Sequence, residues 1–188
     1  MSQLTIRLAD PERDAVACAA IYAPHVEASP TSFEETAPGE AELASRIERT
    51  LRTHPWLVAE GEGAVVGYAY ACPHRERPAY RWAVDVSVYV IDPQRGRGVG
   101  QRLYEELLER LRRQGFRTAC AGITLPNEAS VGLHERLGFV AVGVYRRIGW
   151  KAGAWRDVGW WQLDLAPNEA DPPPEPVSPP EAGGPRLT

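Results

Sequence analysis

The periodicity of apolar and polar residues along the chain predicts a mixed α and β protein. Alternation at every second position, which is typical of half-buried strands, occurs in seven stretches: 4–8, 56–60, 64–72, 83–91, 118–123, 140–147 and 158–165. Helical segments, read from caps and from apolar residues that recur every three or four positions, number four: 10–25, 40–53, 98–114 and 127–137. The pattern therefore predicts about seven strands and about four helices.

Residues with special backbone preferences mark the ends of these segments. Asp10 followed by Pro11 is typical of a helix start, and Gly115 is typical of a helix end. Gly61-Glu62-Gly63 between two alternating runs predicts an antiparallel hairpin. The segment 30–38 has no periodic pattern, and we expect it to be a loop.

The length and composition fit one globular domain over residues 1–166. Of the 188 residues, 44% are hydrophobic and 24% are charged, which is ordinary for such a domain. The net charge of -4 lacks the strongly basic character of a nucleic-acid-binding protein. No apolar run is long enough to span a membrane, and residues 1–10 do not resemble a signal peptide. We therefore expect neither nucleic acid nor a membrane as a partner.

Composition changes near Pro167. Residues 167–188 hold eight of the 17 prolines and almost no large apolar residues. Such a segment buries too little apolar surface to offset the entropy lost on ordering, so we predict a disordered, Pro-rich tail. A proline-rich ligand for a partner domain is the alternative.

The three cysteines, Cys18, Cys72 and Cys120, form no CxxC pair and no zinc pattern with the four histidines. We expect them to be reduced, buried thiols in a cytoplasmic protein, and we expect no metal. No histidine in the sequence suggests a partner that would activate Cys72 or Cys120 as a nucleophile.

The most informative motif lies between the strand 83–91 and the helix 98–114. It reads Gln94-Arg95-Gly96-Arg97-Gly98-Val99-Gly100. Its three alternate glycines leave backbone N–H groups uncovered at the positive end of a helix dipole, an arrangement that binds phosphate or pyrophosphate. A flexible turn before a helix is the simpler interpretation, but the two arginines and the flanking strand and helix disfavour it.

Three glycine-rich phosphate motifs compete for this loop. A dinucleotide-binding loop needs G-x-G-x-x-G, but position 101 is Gln101. A P-loop ends in Gly-Lys-Ser/Thr, which is absent. The remaining pattern, R-x-x-G-x-G, resembles the pyrophosphate loop of the GNAT acetyltransferases. The resemblance implies a GNAT fold of the α+β class, with a twisted, mostly antiparallel sheet. It also implies that acetyl-CoA, the cosubstrate, is held by Arg95, Gly96, Arg97, Gly98, Val99 and Gly100.

A second segment carries the same resemblance. Asn127 opens a helix that ends in Leu137-Gly138-Phe139, similar to the GNAT segment in which an Asn follows a strand and a helix ends in L-G-F. The resemblance implies that Asn127 contacts the pantetheine or acetyl end of the cofactor. Asn127 is also well placed as a helix N-cap, and the two roles are compatible.

Four further stretches are similar to the phosphinothricin N-acetyltransferase group, and the similarity covers roughly residues 3–166. They are 55–59, 77–82, 87–90 and 153–163. The resemblance implies a homodimer with sites near the subunit boundary. It also implies acetylation of the α-amino group of phosphinothricin, methionine sulfoximine, methionine sulfone or related amino acids, and hence herbicide resistance. The group usually has a glutamate where Asp85 stands, so the carboxylate here is one methylene shorter.

The reaction needs a base for the amine, a donor for the oxyanion and an acid for the leaving thiolate. Asp85, on the strand face opposite the valines, is the candidate base; pairing with an arginine such as Arg81 is its alternative role. Backbone N–H groups that could hold the oxyanion belong to Val88, Tyr89 and Val90. Tyr145 and His134 are the candidate acids, and a structural role explains His134 equally well.

Candidate substrate-binding residues precede the catalytic strand. They are Arg75, Arg77, Tyr80 and Arg81. Arginine forks suit a carboxylate or phosphinate, and a solvated basic loop is the alternative. Phe33 lies in a loop that resembles the family's lid segment and could close over the substrate.

Two other functions remain open at this point. The same fold could acetylate a polyamine, an aminoglycoside or a protein N-terminus, although the arginine-rich loop disfavours a cationic amine. The chain could also be a non-catalytic acyl-CoA-binding module, although Asp85 and Asn127 argue against this.

Overall fold

The computed structural model describes residues 4–166 and 173–179, which contain seven strands and four helices. In chain order these are β1 (Thr5–Leu8), α1 (Pro11–Glu27), α2 (Glu40–Leu51), β2 (Trp56–Gly61), β3 (Ala64–Pro73), β4 (Ala83–Val90), α3 (Val99–Gln114), β5 (Thr118–Leu125), α4 (Glu128–Arg136), β6 (Val140–Lys151) and β7 (Ala154–Asp164). Short 3-10 turns span Pro78–Tyr80 and Asp92–Gln94. Within these described residues, no helix has the length and apolar content needed to cross a membrane.

All seven strands belong to one sheet, in the order β1-β2-β3-β4-β5-β7-β6. Neighbouring strands are antiparallel except for β4 and β5, which run parallel. The predicted α+β architecture, a mostly antiparallel sheet flanked by four helices, is confirmed. The predicted order of helices and strands is also correct.

The two faces of the sheet carry different side chains because strand residues alternate between faces. Val84 and Val86 of β4 are buried with the leucine stripe of α3. Asp85, Ser87 and Tyr89 point to the opposite face, where α1 and α2 pack against β2 and β3. The sequence predicted this separation of valines from the polar residues of β4. This alternation places Asp85 outside the main core, on the opposite face of the sheet.

The strands β4 and β5 separate along their length. They pair over only three positions, from Ala83 opposite Thr118 to Asp85 opposite Cys120. Beyond Asp85 the described residues provide no strand partner for this side of β4, so the backbone groups of residues 86–90 that do not pair with β3 face an open wedge. Asp85 lies at the closed end of the wedge, and the loop 91–98 follows its open end.

The hairpin of β6 and β7 is longer than predicted. The sequence predicted strands at 140–147 and 158–165, whereas β6 continues to Lys151 and β7 begins at Ala154. A two-residue turn with positive φ at Ala152 (51°) and Gly153 (72°) joins them. The pairing register shifts between Tyr145 and Gly149, which interrupts the alternation and hides this part of the strand in the sequence.

The described part of the tail, residues 173–179, lies against the body of the protein, contrary to the disorder predicted for 167–188. Trp82 donates its indole N–H to the carbonyl oxygen of Pro174 at 3.0 Å, and Arg81 forms an ion pair with Glu175. Gln114 and Val177 exchange hydrogen bonds of 2.7 and 2.9 Å. These contacts give hydrogen-bond partners to backbone groups of Pro174 and Val177, which a prediction from composition cannot foresee. The rest of the predicted tail lies outside the described residues.

Candidate active site

The loop between β4 and α3 forms an open cradle of backbone N–H groups. Gly98 precedes α3 in the left-handed conformation (φ 82°), and no side chain caps the helix. Gly96 is also left-handed (φ 72°), and no atom lies within 4 Å of where a Cβ would stand at either glycine. The first turn of α3 contains no acidic residue. An uncapped helix N-terminus with exposed N–H groups is suited to bind a phosphate or pyrophosphate.

The two arginines of this loop differ in their contacts. Arg95 pairs with Asp92 at 2.8 Å and lies 3.3 Å from the Nε2 atom of His25. Burial and the charge of Arg95 lower the pKa of His25. The Arg97 side chain has no recorded partner among the described residues, so its guanidinium is available to an anion in the cradle.

Asn127 stands at the end of β5, on the other side of the wedge. Its Oδ1 atom accepts a hydrogen bond from the backbone N–H of Ser130 at 3.1 Å, so it caps α4 as predicted. Its side-chain amide group has no recorded partner in the described residues. Asn127 can therefore cap the helix and still donate to a molecule lying in the wedge.

Asp85 is paired with a histidine, not with an arginine. The Nδ1 atom of His74, the residue directly after β3, lies 2.6 Å from Asp85 Oδ1. Burial raises the pKa of the Asp85 carboxyl, while His74 and Arg75 act in the opposite direction. The alternative partner considered from the sequence, Arg81, is bound to Glu175. Asp85 thus belongs to a hydrogen-bonded His–Asp pair at the closed end of the wedge.

Cys120 lies beside this pair. One ligand atom from each of His74, Asp85 and Cys120 lies within 4.8 Å of the other two, a group that could hold a metal ion. However, the 2.6 Å separation of Nδ1 and Oδ1 is that of a hydrogen bond. Two such atoms bound to one zinc ion would lie roughly 3.3 Å apart, given Zn–N and Zn–O distances of about 2.0–2.2 Å. The geometry favours a shared proton, and we assign no metal here. Burial raises the pKa of the Cys120 thiol to about 11, which opposes a nucleophilic role.

The candidate substrate-binding residues divide into two groups. Tyr80 lies edge-on to His74 with ring centroids 5.9 Å apart, and the guanidinium of Arg75 lies 5.9 Å from the ring centroid of Trp160. Arg81 instead stacks on Trp82 and pairs with the tail, and the Arg77 side chain has no recorded partner in the described chain. The structure therefore brings Arg75 and Tyr80 to the His–Asp pair and turns Arg81 away from it.

Phe33 and Tyr145 are both associated with the hairpin of β6 and β7. The ring of Phe33 lies directly on Gly149, where an added Cβ would come within 2.2 Å of the ring. Tyr145 lies edge-on to Trp160, with ring centroids 6.1 Å apart. Trp160 in turn lies edge-on to His74 at 5.9 Å. An aromatic row thus connects Tyr145 with the His–Asp pair.

His134 is a buried histidine with both ring nitrogens in use. Its Nδ1 atom donates to the backbone oxygen of Ser130 at 2.7 Å, and its Nε2 atom lies 3.1 Å from the hydroxyl of Tyr104. Burial lowers its pKa, so the imidazole is neutral near pH 7. These contacts favour the structural role over that of proton donor and leave Tyr145 as the better candidate acid.

Two residues of this site, His74 and Trp160, were not predicted from the sequence. His74 lies in an irregular segment, and only the antiparallel register of β3 and β4, with Cys72 opposite Asp85, places it beside the carboxylate. Trp160 lies over Gly122 of β5, a contact that depends on pairing between distant strands. The antiparallel pairing of neighbouring strands was the signal that could have placed His74.

Comparison with known proteins identifies relatives of this arrangement. Residues 19–139 match the model of the acetyltransferase (GNAT) family. The chain is 44% identical to a phosphinothricin N-acetyltransferase of Streptomyces viridochromogenes, over 82% of this chain and 83% of that protein. It is 36% identical to an L-methionine sulfoximine/L-methionine sulfone acetyltransferase of Salmonella typhimurium, over 86% of this chain and 95% of that protein.

A solved structure supports the fold. The crystal structure of a GNAT superfamily phosphinothricin acetyltransferase from Sinorhizobium meliloti, in complex with acetyl-CoA, superimposes with a TM-score of 0.88. The two sequences are 38% identical, and the match covers 97% of this chain and 98% of that one. The GNAT fold predicted from the sequence is thereby confirmed.

Proposed function

Since the chain belongs to the acetyltransferase (GNAT) family, we propose that it transfers the acetyl group of acetyl-CoA to the α-amino group of a small, amino-acid-like substrate. The observation that carries the proposal is the wedge between β4 and β5. Its open end leads to an uncapped, glycine-rich helix start, and its closed end holds Asp85. The unpaired edge of β4 thus runs from the anion-binding loop to the proton-accepting carboxylate of Asp85.

Acetyl-CoA fits the wedge in one orientation, with its pyrophosphate at the open end and its acetyl group at the closed end. Its pyrophosphate lies on the cradle formed by residues 95–100, with Arg97 free to pair with it. Its pantetheine arm follows the unpaired edge of β4 and meets Asn127 on the other side. The acetyl group then lies near Asp85, where those N–H groups of residues 88–90 that do not pair with β3 are available to the carbonyl oxygen.

The reaction balances with the groups present. The substrate ammonium loses one proton to the base of the site, and the neutral nitrogen bonds to the thioester carbon. The oxyanion is held by a backbone N–H of β4 until the C–S bond breaks. The nitrogen then loses its second proton. One of the two released protons neutralises the thiolate, with Tyr145 as candidate donor, and the other goes to solvent.

The substrate's carboxylate is expected to bind Arg75. This guanidinium lies beside Trp160 and donates a hydrogen bond to the backbone oxygen of His74 at 2.9 Å. Phe33, whose ring lies on Gly149 of β6, is our candidate for a lid. A polyamine or aminoglycoside would place its positive charges against this arginine, which disfavours both. Phosphinothricin, methionine sulfoximine and methionine sulfone are the first substrates to test, because relatives act on them.

Replacing Arg75 with alanine should lower kcat/KM for the amino acid by about ten- to a hundredfold. The change removes a charge-assisted hydrogen bond worth about 1.5–3 kcal/mol. The acetyl-CoA KM should stay within about twofold. Arg81→Ala is the matched control, because Arg81 carries the same charge but pairs with Glu175 and stacks on Trp82, and its kcat/KM should hardly change. An equal loss toward a decarboxylated amine with the same side chain would indicate a structural role for Arg75.

We also propose a homodimer formed through β6. This edge strand exposes large apolar side chains, an arrangement that a soluble monomer normally avoids. They are Val140, Val142, Val144, Tyr145, Ile148 and Trp150, with Trp155 of β7 beside them. A second copy is the favoured occupant because Tyr145 belongs both to this surface and to the candidate site. The three free thiols further support our inference of a cytoplasmic location.

Val142→Glu should convert the dimer to a monomer in sedimentation equilibrium. Val142 is 65% exposed on β6, so the change leaves the protomer core intact and places a charge in the interface. Val16→Glu is the control, because Val16 is similarly exposed (54%) on α1, and it should remain dimeric. A monomeric wild type, or a Val142→Glu protein that remains dimeric, would contradict the proposed interface.

A panel assay of thiol release tests the substrate class. Acetyl-CoA is mixed with amino acids, the three sulfur or phosphorus analogues, spermidine, an aminoglycoside and a peptide with a free N-terminus. The proposal expects activity that is confined to the amino-acid-like molecules. Turnover of only cationic amines or peptides would favour another acetyltransferase function. Acetyl-CoA binding without turnover of any amine would favour a binding module.

A further inference from the structure

His74 forms a short contact of 2.6 Å with the Asp85 carboxyl through Nδ1. When Asp85 is ionised it can only accept a hydrogen bond, and Nδ1 is then the donor. In the neutral imidazole the lone pair then lies on Nε2. This nitrogen has no recorded hydrogen-bond partner among the described residues. The Asp85 contact therefore leaves a free proton-accepting atom at the far side of the ring.

The imidazole is positioned among the candidate substrate-binding residues. Its ring contacts Tyr80 and Trp160 edge-on, each at 5.9 Å, and Arg75 follows it directly in the chain. The side chain is 17% exposed, so it is held by its neighbours and still reachable from solvent. The amino and carboxylate groups of an amino acid share the α carbon. If Arg75 binds the carboxylate, the amino group therefore lies close to the His74 ring.

The hydrogen bond to His74 extends the reach of a short side chain. Aspartate has the shorter of the two side chains that carry a carboxylate. The His74 imidazole, which is hydrogen-bonded to Asp85, places the proton-accepting atom Nε2 one ring width farther from the carboxylate. A His–Asp pair of this kind acts as a base, because the carboxylate fixes the tautomer and stabilises the imidazolium that forms.

We propose that His74 Nε2 is the proton acceptor of the reaction and that Asp85 orients it. The proposal rests on the acetyltransferase function above. In the step, the N–H bond of the substrate ammonium breaks, its electron pair stays on the nitrogen, and the proton bonds to Nε2. The imidazolium then releases that proton to solvent before the next turnover. No further reactant is needed.

The groups that face the pair come from every neighbouring element. They are Cys72 of β3, Cys120 of β5, and Arg75 and Tyr80 of the connection between β3 and β4. Burial raises the pKa of both thiols to about 11, so they remain neutral near pH 7. Neither thiol therefore acts as an ionised base beside the pair.

The test is His74→Asn. Asparagine keeps an N–H donor close to the position of Nδ1 but has no basic nitrogen. We expect kcat to fall by about a hundredfold or more, the usual contribution of a general base, with the acetyl-CoA KM unchanged. The single-turnover rate at saturating substrates measures this loss in the chemical step.

Three further proteins make the outcome specific. His74→Ala should recover activity with added imidazole, which a structural role does not predict. His54→Asn, at a buried histidine stacked on Phe116, should lose stability but keep kcat. Cys120→Ser should retain activity when EDTA is present. If His74, Asp85 and Cys120 held a catalytic metal ion, this treatment would remove the ion and abolish activity.

The result that overturns the proposal is a His74→Asn enzyme with nearly wild-type kcat, or a His74→Ala enzyme that added imidazole does not rescue. If Asp85→Asn is inactive in the same experiment, Asp85 itself is the base. A wild-type protein that binds acetyl-CoA but acetylates no amine contradicts the proposed function, and the role of His74 with it. The two failures are thus distinguished by the wild-type measurement.

Discussion

Replacing Gly98 with valine should raise the acetyl-CoA KM by about a hundredfold, equivalent to about 2.7 kcal/mol of lost binding. Gly98 adopts φ 82° directly before α3, a conformation that a β-branched residue rarely adopts. The loop must therefore rearrange, and the new side chain covers the N–H groups that hold the pyrophosphate. Isothermal titration with acetyl-CoA measures the loss without requiring turnover.

Gly63→Val provides the matched control for this prediction. Gly63 has a similar backbone angle (φ 79°), also has no atom within 4 Å of its Cβ position, and lies in the hairpin between β2 and β3, away from the cradle. Its replacement should lower the melting temperature but leave acetyl-CoA affinity within about twofold. Unchanged affinity in a folded Gly98→Val protein would remove the loop from the cofactor site.

Asp85→Asn should lower kcat by about 10²–10⁴-fold while acetyl-CoA still binds normally. The amide cannot hold the His74 tautomer that leaves Nε2 free, and it cannot itself accept a proton. The single-turnover rate at saturating substrates measures the effect on chemistry. Asp85→Glu should retain substantial activity, because the longer carboxylate can reach the amine in place of the imidazole.

A structural role for Asp85 predicts a different pattern. In that case Asp85→Asn would lower the melting temperature and leave kcat nearly intact. Asp164→Asn, at an exposed position near the end of β7, controls for the loss of one negative charge and should behave as wild type. Equal rates in Asp85→Asn and Asp164→Asn would contradict any role for Asp85 in proton transfer.

The sequence was most informative where chemistry depends on neighbouring residues. The cradle is built from consecutive residues, 95–100, whose backbone preferences are local, so its position before α3 could be predicted. The alternation in β4 likewise placed Asp85 on the face opposite the valines. Both inferences need only the period of a strand and the conformational freedom of glycine.

The remaining parts of the site depend on contacts between distant segments. The wedge arises because β4 and β5 pair over only three positions, and strand register is not encoded in either strand alone. The His74–Asp85 bond depends on the register of β3 and β4, and the position of Trp160 depends on the pairing of β5 and β7. Arg81 looked suitable for the substrate because its partner, Glu175, is 94 residues away in a segment predicted to be disordered.

The most direct test of the proposed function follows the acetyl group itself. Acetyl-CoA labelled with ¹³C in the acetyl carbons is incubated with the purified protein and methionine sulfoximine, phosphinothricin or methionine sulfone, and the products are analysed by mass spectrometry. The account predicts a labelled N-acetyl amino acid formed in a one-to-one ratio with free coenzyme A. Release of coenzyme A without a labelled amide, or no consumption of acetyl-CoA with any amino acid, would contradict it.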